Sequence, residues 1–141
     1  MTRNLIVLGC AVLLAFGLSF GAYAGVSPDS DSDGVPDAFD NCTNVPNGPL
    51  LGTDSCNNQE DNDNDGYGNP CDPDTNNDNG VGLDDAAIVL NEQGAGAGSV
   101  SDLNCDNGVG LDDAAIVLTS QGTLPGPSGL SCAGAIPCSA N

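Results

Sequence analysis

The sequence predicts a small, mostly irregular fold stabilised by metal ions and disulfides, in which acidic loops lead into two short α-helices. Three observations predict it. The pattern Asp-x-Asn-x-Asp-Asn-Gly-Val-Gly-Leu-Asp-Asp-Ala-Ala-Ile-Val-Leu runs from Asp74 to Leu90 and returns from Asp102 to Leu118, 28 residues on. Beyond the N-terminal segment the only aromatic side chains are Phe39 and Tyr67, and there is no Trp, so apolar bulk for a core is scarce. Six cysteines (Cys42, Cys56, Cys71, Cys105, Cys132 and Cys138) are distributed over that same region. A chain so poor in apolar bulk needs other staples, which small exported domains find in metals and disulfides.

Residues 1–24 read as a leader that the mature chain lacks. Arg3 supplies a short positive region, Leu5 to Phe20 is apolar, and Ala22-Tyr23-Ala24 gives a small-x-small cleavage signal, so cleavage is expected after Ala24. No later segment approaches the ~20 apolar residues that a membrane-spanning helix requires. Arg3 is the only Lys or Arg and there is no His, so the mature chain carries all 20 Asp and Glu with no basic side chain. Such a surface repels nucleic acid and anionic membranes. It also excludes nucleophilic mechanisms that depend on His or Lys, and its carboxylates are needed as ligands, so no enzyme is expected. Acidic, aromatic-poor chains are often disordered. Here the acids fall at fixed spacings beside Gly and Asn, which predicts ordered loops instead.

An even cysteine count in an exported chain reads as a disulfide framework, with fifteen connectivities open to six cysteines. Zinc is disfavoured, because there is neither a His nor a Cys-x-x-Cys pair. Within the framework Cys132 is expected to pair with Cys138, with pairing of Cys56 and Cys105 left open.

In chain order, residues 25–73 contain two acidic loops, Asp29 to Asp40 and Asp61 to Asp72, separated by a connector rich in Pro and Gly. Residues 74–121 contain the two repeats, joined by a Gly-Ala stretch (Gly94 to Ser99) that reads as flexible. Residues 122–141 form an irregular tail rich in Pro, Gly and Cys. Helices are expected over Asp84 to Gln93 and Asp112 to Gln121, with Gly94 and Gly122 as stops. Leu83, Ala86, Ala87 and Leu90 fall at i, i+3, i+4 and i+7, as do Leu111, Ala114, Ala115 and Leu118, so these stripes are expected to pack the helices together. Val81 and Val109 are expected to form a short strand contact between paired loops. Ile88, Val89, Ile116 and Val117 lie partly off the stripes, where they serve either a docking face or packing against tail or connector.

Oxygen ligands at alternate positions, a turn and a closing carboxylate are the elements of a calcium loop of EF-hand type. In the third loop Asp74, Asn76 and Asp78 take positions 1, 3 and 5, Gly80 offers its carbonyl at 7, Gly82 leaves room for water at 9, and Asp85 closes at 12. In the fourth the same places fall to Asp102, Asn104, Asp106, Gly108, Gly110 and Asp113. Position 6 is Asn79 or Asn107 in place of Gly, which Asn's tolerance of the left-handed region permits. Asp at position 12 is one methylene shorter than the usual Glu.

These repeats resemble the type I dockerin module, a duplicated half-EF-hand with Asp at position 12. The resemblance implies a cohesin-like partner, which dockerins contact partly through small hydroxylated residues at positions 10 and 11. Leu83-Asp84 and Leu111-Asp112 depart from that pattern while the metal ligands are kept. The first two loops resemble thrombospondin type 3 repeats. Asp29, Asp31, Asp33, Gly34, Asp37 and Asp40 precede Asn41-Cys42, and Asp61, Asp63, Asp65, Gly66, Gly68, Asn69, Cys71 and Asp72 follow the companion form. The carbonyls of Val35 and Tyr67 stand at position 7. This second resemblance implies calcium in place of a core and a Cys42–Cys71 disulfide. Asp72 and Asp74 close one loop and open the next, so the sites are expected to be coupled. The expected function is that of a secreted, calcium-binding structural or adhesive spacer. The alternative is a dockerin that recruits its bearer to a cohesin scaffold in a polysaccharide-degrading assembly.

Overall fold

A computed structural model of the chain describes residues 27–51 and 58–139. The expected leader and Cys56 lie outside them. The described residues form two α-helices, α1 (Leu83–Asn91) and α2 (Leu111–Thr119), with short 3-10 turns at Asp37–Phe39, Pro49–Leu51 and Asn69–Cys71. Among the described residues there is no β-strand, only an isolated bridge between Gly96 and Gly108.

Each helix starts one residue before its expected position and stops two before. At the start, Asp85 and Asp113, third residues of their helices, accept the backbone N–H of Gly82 (2.7 Å) and Gly110 (2.8 Å). These carboxylates satisfy N–H groups that no helical carbonyl reaches, and their charge suits the positive end of the helix dipole. At the other end Gly94 (φ 85°) and Gly122 (φ 80°) turn the chain through the left-handed region, as the glycine positions predict.

The helices pack on each other as expected, but the packed face keeps only Ala86 and Ala114 of the expected stripes. The apolar cluster consists of Val81, Ala86, Val89, Leu103, Val109, Ala114 and Val117. Leu83 and Leu111 are about 70 % exposed, Leu90 and Leu118 about half, and Ala87 and Ala115 are exposed as well. The reason lies in the closing carboxylates. Asp85 and Asp113 must face the loops, and the residues one and four positions further on, Ala86/Val89 and Ala114/Val117, share that inward side. Val89 and Val117 are therefore core, whereas Leu83, Ala87 and Leu90 form an outer stripe that α2 repeats.

Val81 and Val109 are both buried in this cluster, yet their backbones do not pair with each other. Val109 exchanges hydrogen bonds with the residues after α1 (Gly94 N to Val109 O and Val109 N to Ala95 O, both 2.9 Å). Val81 does the same with those after α2 (Gly122 N to Val81 O, 2.9 Å; Val81 N to Thr123 O, 3.1 Å). Each loop thus binds the chain leaving the other repeat's helix, which makes the pair reciprocal. It also pins Gly94 and Ala95 in the stretch expected to be flexible.

The described residues between 27 and 73 contribute nothing to the apolar cluster, and Phe39 is exposed. The buried residues there are polar, including Asp33, Asp40, Asn41 and Asn47, around the Cys42–Cys71 disulfide. Cys132 is joined to Cys138 as expected, and Cys105 is also in disulfide linkage. The tail acts as a strap along the first two loops. Gly129 N donates to Asp40 O, Gly126 N to Cys71 O, and Gly134 N and Cys138 N to Asp65 O and Asn64 O. Disulfides point to an oxidising, extracellular setting. Among the described residues no helix is long and apolar enough to cross a membrane.

Candidate metal centres

All four acidic loops share one backbone course over their first six residues. Position 4 (Ser32, Asn64, Asn77, Cys105) and position 6 (Gly34, Gly66, Asn79, Asn107) all have φ between 57° and 98°. The carboxylate at position 1 accepts the position-6 N–H, from Gly34 to Asp29 (3.2 Å), Gly66 to Asp61 (2.9 Å) and Asn79 to Asp74 (2.8 Å), with Asn107 to Asp102 likewise. The position-3 oxygen of Asp31, Asp63, Asn76 and Asn104 accepts the N–H two residues on. Hydrogen bonds of this kind curl the chain so that side chains 1, 3 and 5 converge. Asp29, Asp31 and Asp33 each bring a carboxylate oxygen within 4.8 Å of the others, as do Asp61, Asp63 and Asp65; either triad can hold a metal ion.

Position 12 closes each loop electrostatically. Burial, then the charges of Asp33, Asp40 and Asp29, push the Asp31 carboxyl above the ordinary range. Burial foremost, with Asp65 and Asp63 next, pushes Asp72 up to about 8. Asp65 is pushed up to about 6 by burial and by Asp63, Asp61 and Asp74. In the repeats Asp74 is raised by burial and by Asp85 and Asp78, and Asp102 by burial and by Asp113 and Asp106. Among the described residues no Lys, Arg or His offsets this repulsion.

A direct test of fit comes from buried oxygens that no protein donor reaches. In the first loop these are Asp29 Oδ1, Asp31 Oδ2 and Asp40 Oδ2; in the fourth, Asp102 Oδ1. Asp40 and Asp102 are almost wholly buried, and a buried anionic oxygen without a partner is costly. Three such atoms at positions 1, 3 and 12 of one loop suit a cation that prefers oxygen.

The remaining expected ligands divide. Asp37 and Asn69, at position 9, are taken up inside their loops: Asp37 accepts Ser30 N (2.7 Å) and Ser30 Oγ (2.8 Å), and Asn69 accepts Asn62 N (3.0 Å). They draw position 9 onto position 2. Asp85 and Asp113 do the corresponding work from position 12, accepting the N–H of Asn76 (3.1 Å) and Asn104 (3.1 Å). Val35 and Tyr67 donate their N–H to Asp33 and Asp65 (both 2.8 Å), which sets their peptide planes at position 7. Gly80 and Gly108 hold that position in the repeats.

The second and third loops touch, as their adjacency predicts. Asp74 N donates to Asp72 Oδ1 (3.1 Å), and Asn77 Nδ2 to Asp63 Oδ2 (2.9 Å). Gln59, Asn41 and Asn47 form a buried or half-buried network beside the first loop that sequence reading missed. Their side chains, and the Asn41 backbone N–H with the Gln59 amide oxygen, meet across gaps of 6 to 18 residues, and no short motif marks such a meeting. Comparison with family models, with curated proteins and with solved structures finds no match for the chain.

Proposed function

We propose that the protein is an exported calcium-binding structural module, in which Ca2+ held by four acidic loops replaces an apolar core over residues 27–73 and braces the helical pair. The unpartnered buried oxygens of Asp29, Asp31, Asp40 and Asp102 carry this reading. The repeated loop geometry supports extending it to all four sites. Loops of carboxylates and carbonyls suit a hard cation with six to eight oxygen ligands, and Ca2+ accepts their irregular spacing better than Mg2+, which demands a tight octahedron. Extracellular calcium modules bind at about 10⁻⁴ to 10⁻³ M, matched to millimolar surroundings. Binding is then coupled to folding, because the ions remove the repulsion among the ligands. A calorimetric calcium titration tests this: four ions are expected, and fewer than two would refute the loop assignments.

One observation favours a second reading, a docking module for an extracellular scaffold of cohesin type. The outer stripes Leu83/Ala87/Leu90 and Leu111/Ala115/Leu118 expose apolar surface on a domain that has little of it. Against this, the position-11 carboxylates are engaged within their own loops, Asp84 with Asn76 Nδ2 (2.9 Å) and Asp112 with Asn104 Nδ2 (2.6 Å). The spacer reading is the better supported.

A further inference from the structure

Asp40 closes the first loop from a site with no solvent exposure, and its two oxygens have different surroundings. Its Oδ1 accepts Cys42 N (2.8 Å) and Gln59 Nε2 (2.9 Å), whereas Oδ2 has no protein donor. Asp29 Oδ1 and Asp31 Oδ2, at positions 1 and 3 of the same loop, are also buried without donors. A closing carboxylate serves an ion best when its plane is held, because its two oxygens are equivalent and the orientation of that plane decides whether one of them faces the ion.

Gln59 is held firmly enough to fix it. It sits at φ 57°, a conformation that disfavours side chains, yet both its backbone groups and both its amide atoms are engaged. Its N donates to Asn47 O (3.1 Å) and its O accepts Asn41 Nδ2 (3.0 Å). Its Oε1 accepts Asn41 N (2.7 Å), which leaves Nε2 to donate to Asp40 and to Asn47 Oδ1. The amide orientation is thereby set, with its donor side toward Asp40.

We propose that Gln59 is the positioning residue of the first loop, gripping one oxygen of Asp40 so that the other faces the ion. This rests on the reading of that loop as a calcium site. Outer partners of metal ligands act in this way, and their loss typically weakens binding about 10- to 100-fold. The residue stands outside the loop, 19 positions beyond Asp40 and two before Asp61, so the connector's end serves both neighbouring loops.

The test compares calcium titrations of the full oxidised chain as wild type, Gln59→Leu, Asp40→Asn and the double variant. Each single change should weaken one ion about 10- to 100-fold and leave the others and the helical circular dichroism in saturating calcium unaltered. The double variant should lose no more than the worse single, because both changes act on one contact. Unchanged affinity in Gln59→Leu, an equal loss at all sites, or additive losses in the double variant would each overturn the role. Asp31→Ala, which leaves no side-chain oxygen at position 3, separates the two levels. If it removes no ion, the first loop is not a site and both readings fall; if it removes one while Gln59→Leu has no effect, only the positioning role falls. Should Gln59→Leu misfold, Gln59→Glu must show the single-site loss, since it keeps the acceptor for Asn41 N and sets a carboxylate against Asp40; unchanged affinity there overturns the role too.

Discussion

Asp113→Asn separates the two tasks of a closing carboxylate, capping a helix and holding an ion. Asp113 is fully buried; its Oδ1 accepts Leu103 N (2.8 Å) and Asn104 N (3.1 Å), and its Oδ2 accepts Gly110 N (2.8 Å). Asn keeps the shape and one acceptor but turns an amide donor toward Gly110 N–H. Hydrogen bonds to charged groups contribute about 1.5–3 kcal/mol, and a stranded buried donor costs about 1–3 kcal/mol. A loss of about 3 kcal/mol in calcium follows, or roughly 10–15 °C in Tm for a domain of this size. In EDTA the same change also relieves repulsion, since the Asp113 charge helps push the Asp102 carboxyl up. The loss there should shrink to about 1 kcal/mol. Urea unfolding followed by helical circular dichroism, in calcium and in EDTA, measures both. Equal losses in the two conditions would show that Asp113 is a cap alone and refute its role as ligand. The exposed neighbour Asp112→Asn is the control, with a change of about 0.5 kcal/mol or less expected in either condition.

Three further outcomes are expected. Val89→Ala should cost about 2–3 kcal/mol because the side chain has no exposure, against about 1 kcal/mol or less for half-exposed Leu90→Ala; the reverse order by urea unfolding would restore the stripe that periodicity predicts. Without metal, acid should favour the fold: Asp65 and Asp72, pushed up to about 6 and about 8, contribute stability that is full below the ordinary carboxylate range near 4 and is lost as pH rises through those values. The urea midpoint in EDTA should therefore be higher at pH 5 than at pH 8.5, and a flat or opposite profile would remove this account of the second loop. Removing the Cys132–Cys138 bridge by paired Ser substitutions should free the tail from Asn64 and Asp65 and raise the calcium concentration that fills the second loop several-fold. Terbium luminescence sensitised by Tyr67, at position 7 of that loop, reads this directly, and an unchanged midpoint would mean the strap is incidental.

What the sequence made legible was local. The 28-residue repeat placed both helices within two residues, because the turn, the closing Asp and the terminal glycine are all short-range signals. Cys42–Cys71 and Cys132–Cys138 followed from loop resemblance and proximity. The core face was misjudged because periodicity ranks side chains by apolarity: it selected Leu83 and Leu90, whereas the need for Asp85 to face its loop rotates Val89 inward. The crossed pairing of Val81 with Thr123 and of Val109 with Ala95 depends on how the repeats dock, and nothing local encodes that. Likewise the first two loops looked distinct from the repeats because no apolar helical run follows them, although positions 1 to 6 follow the same course in all four. Gln59 left no trace in the sequence, since its role depends on a fold that brings it to Asp40.

The central claim is that bound cations hold residues 27–73 together where apolar contacts do not. Small-angle scattering of the oxidised chain in 2 mM calcium and then in excess EDTA tests it most directly. The radius of gyration should be about 15 Å with calcium and rise to about 25 Å or more in EDTA, toward the value for an open chain and reversed by adding calcium back. One compact radius in both conditions would contradict the claim.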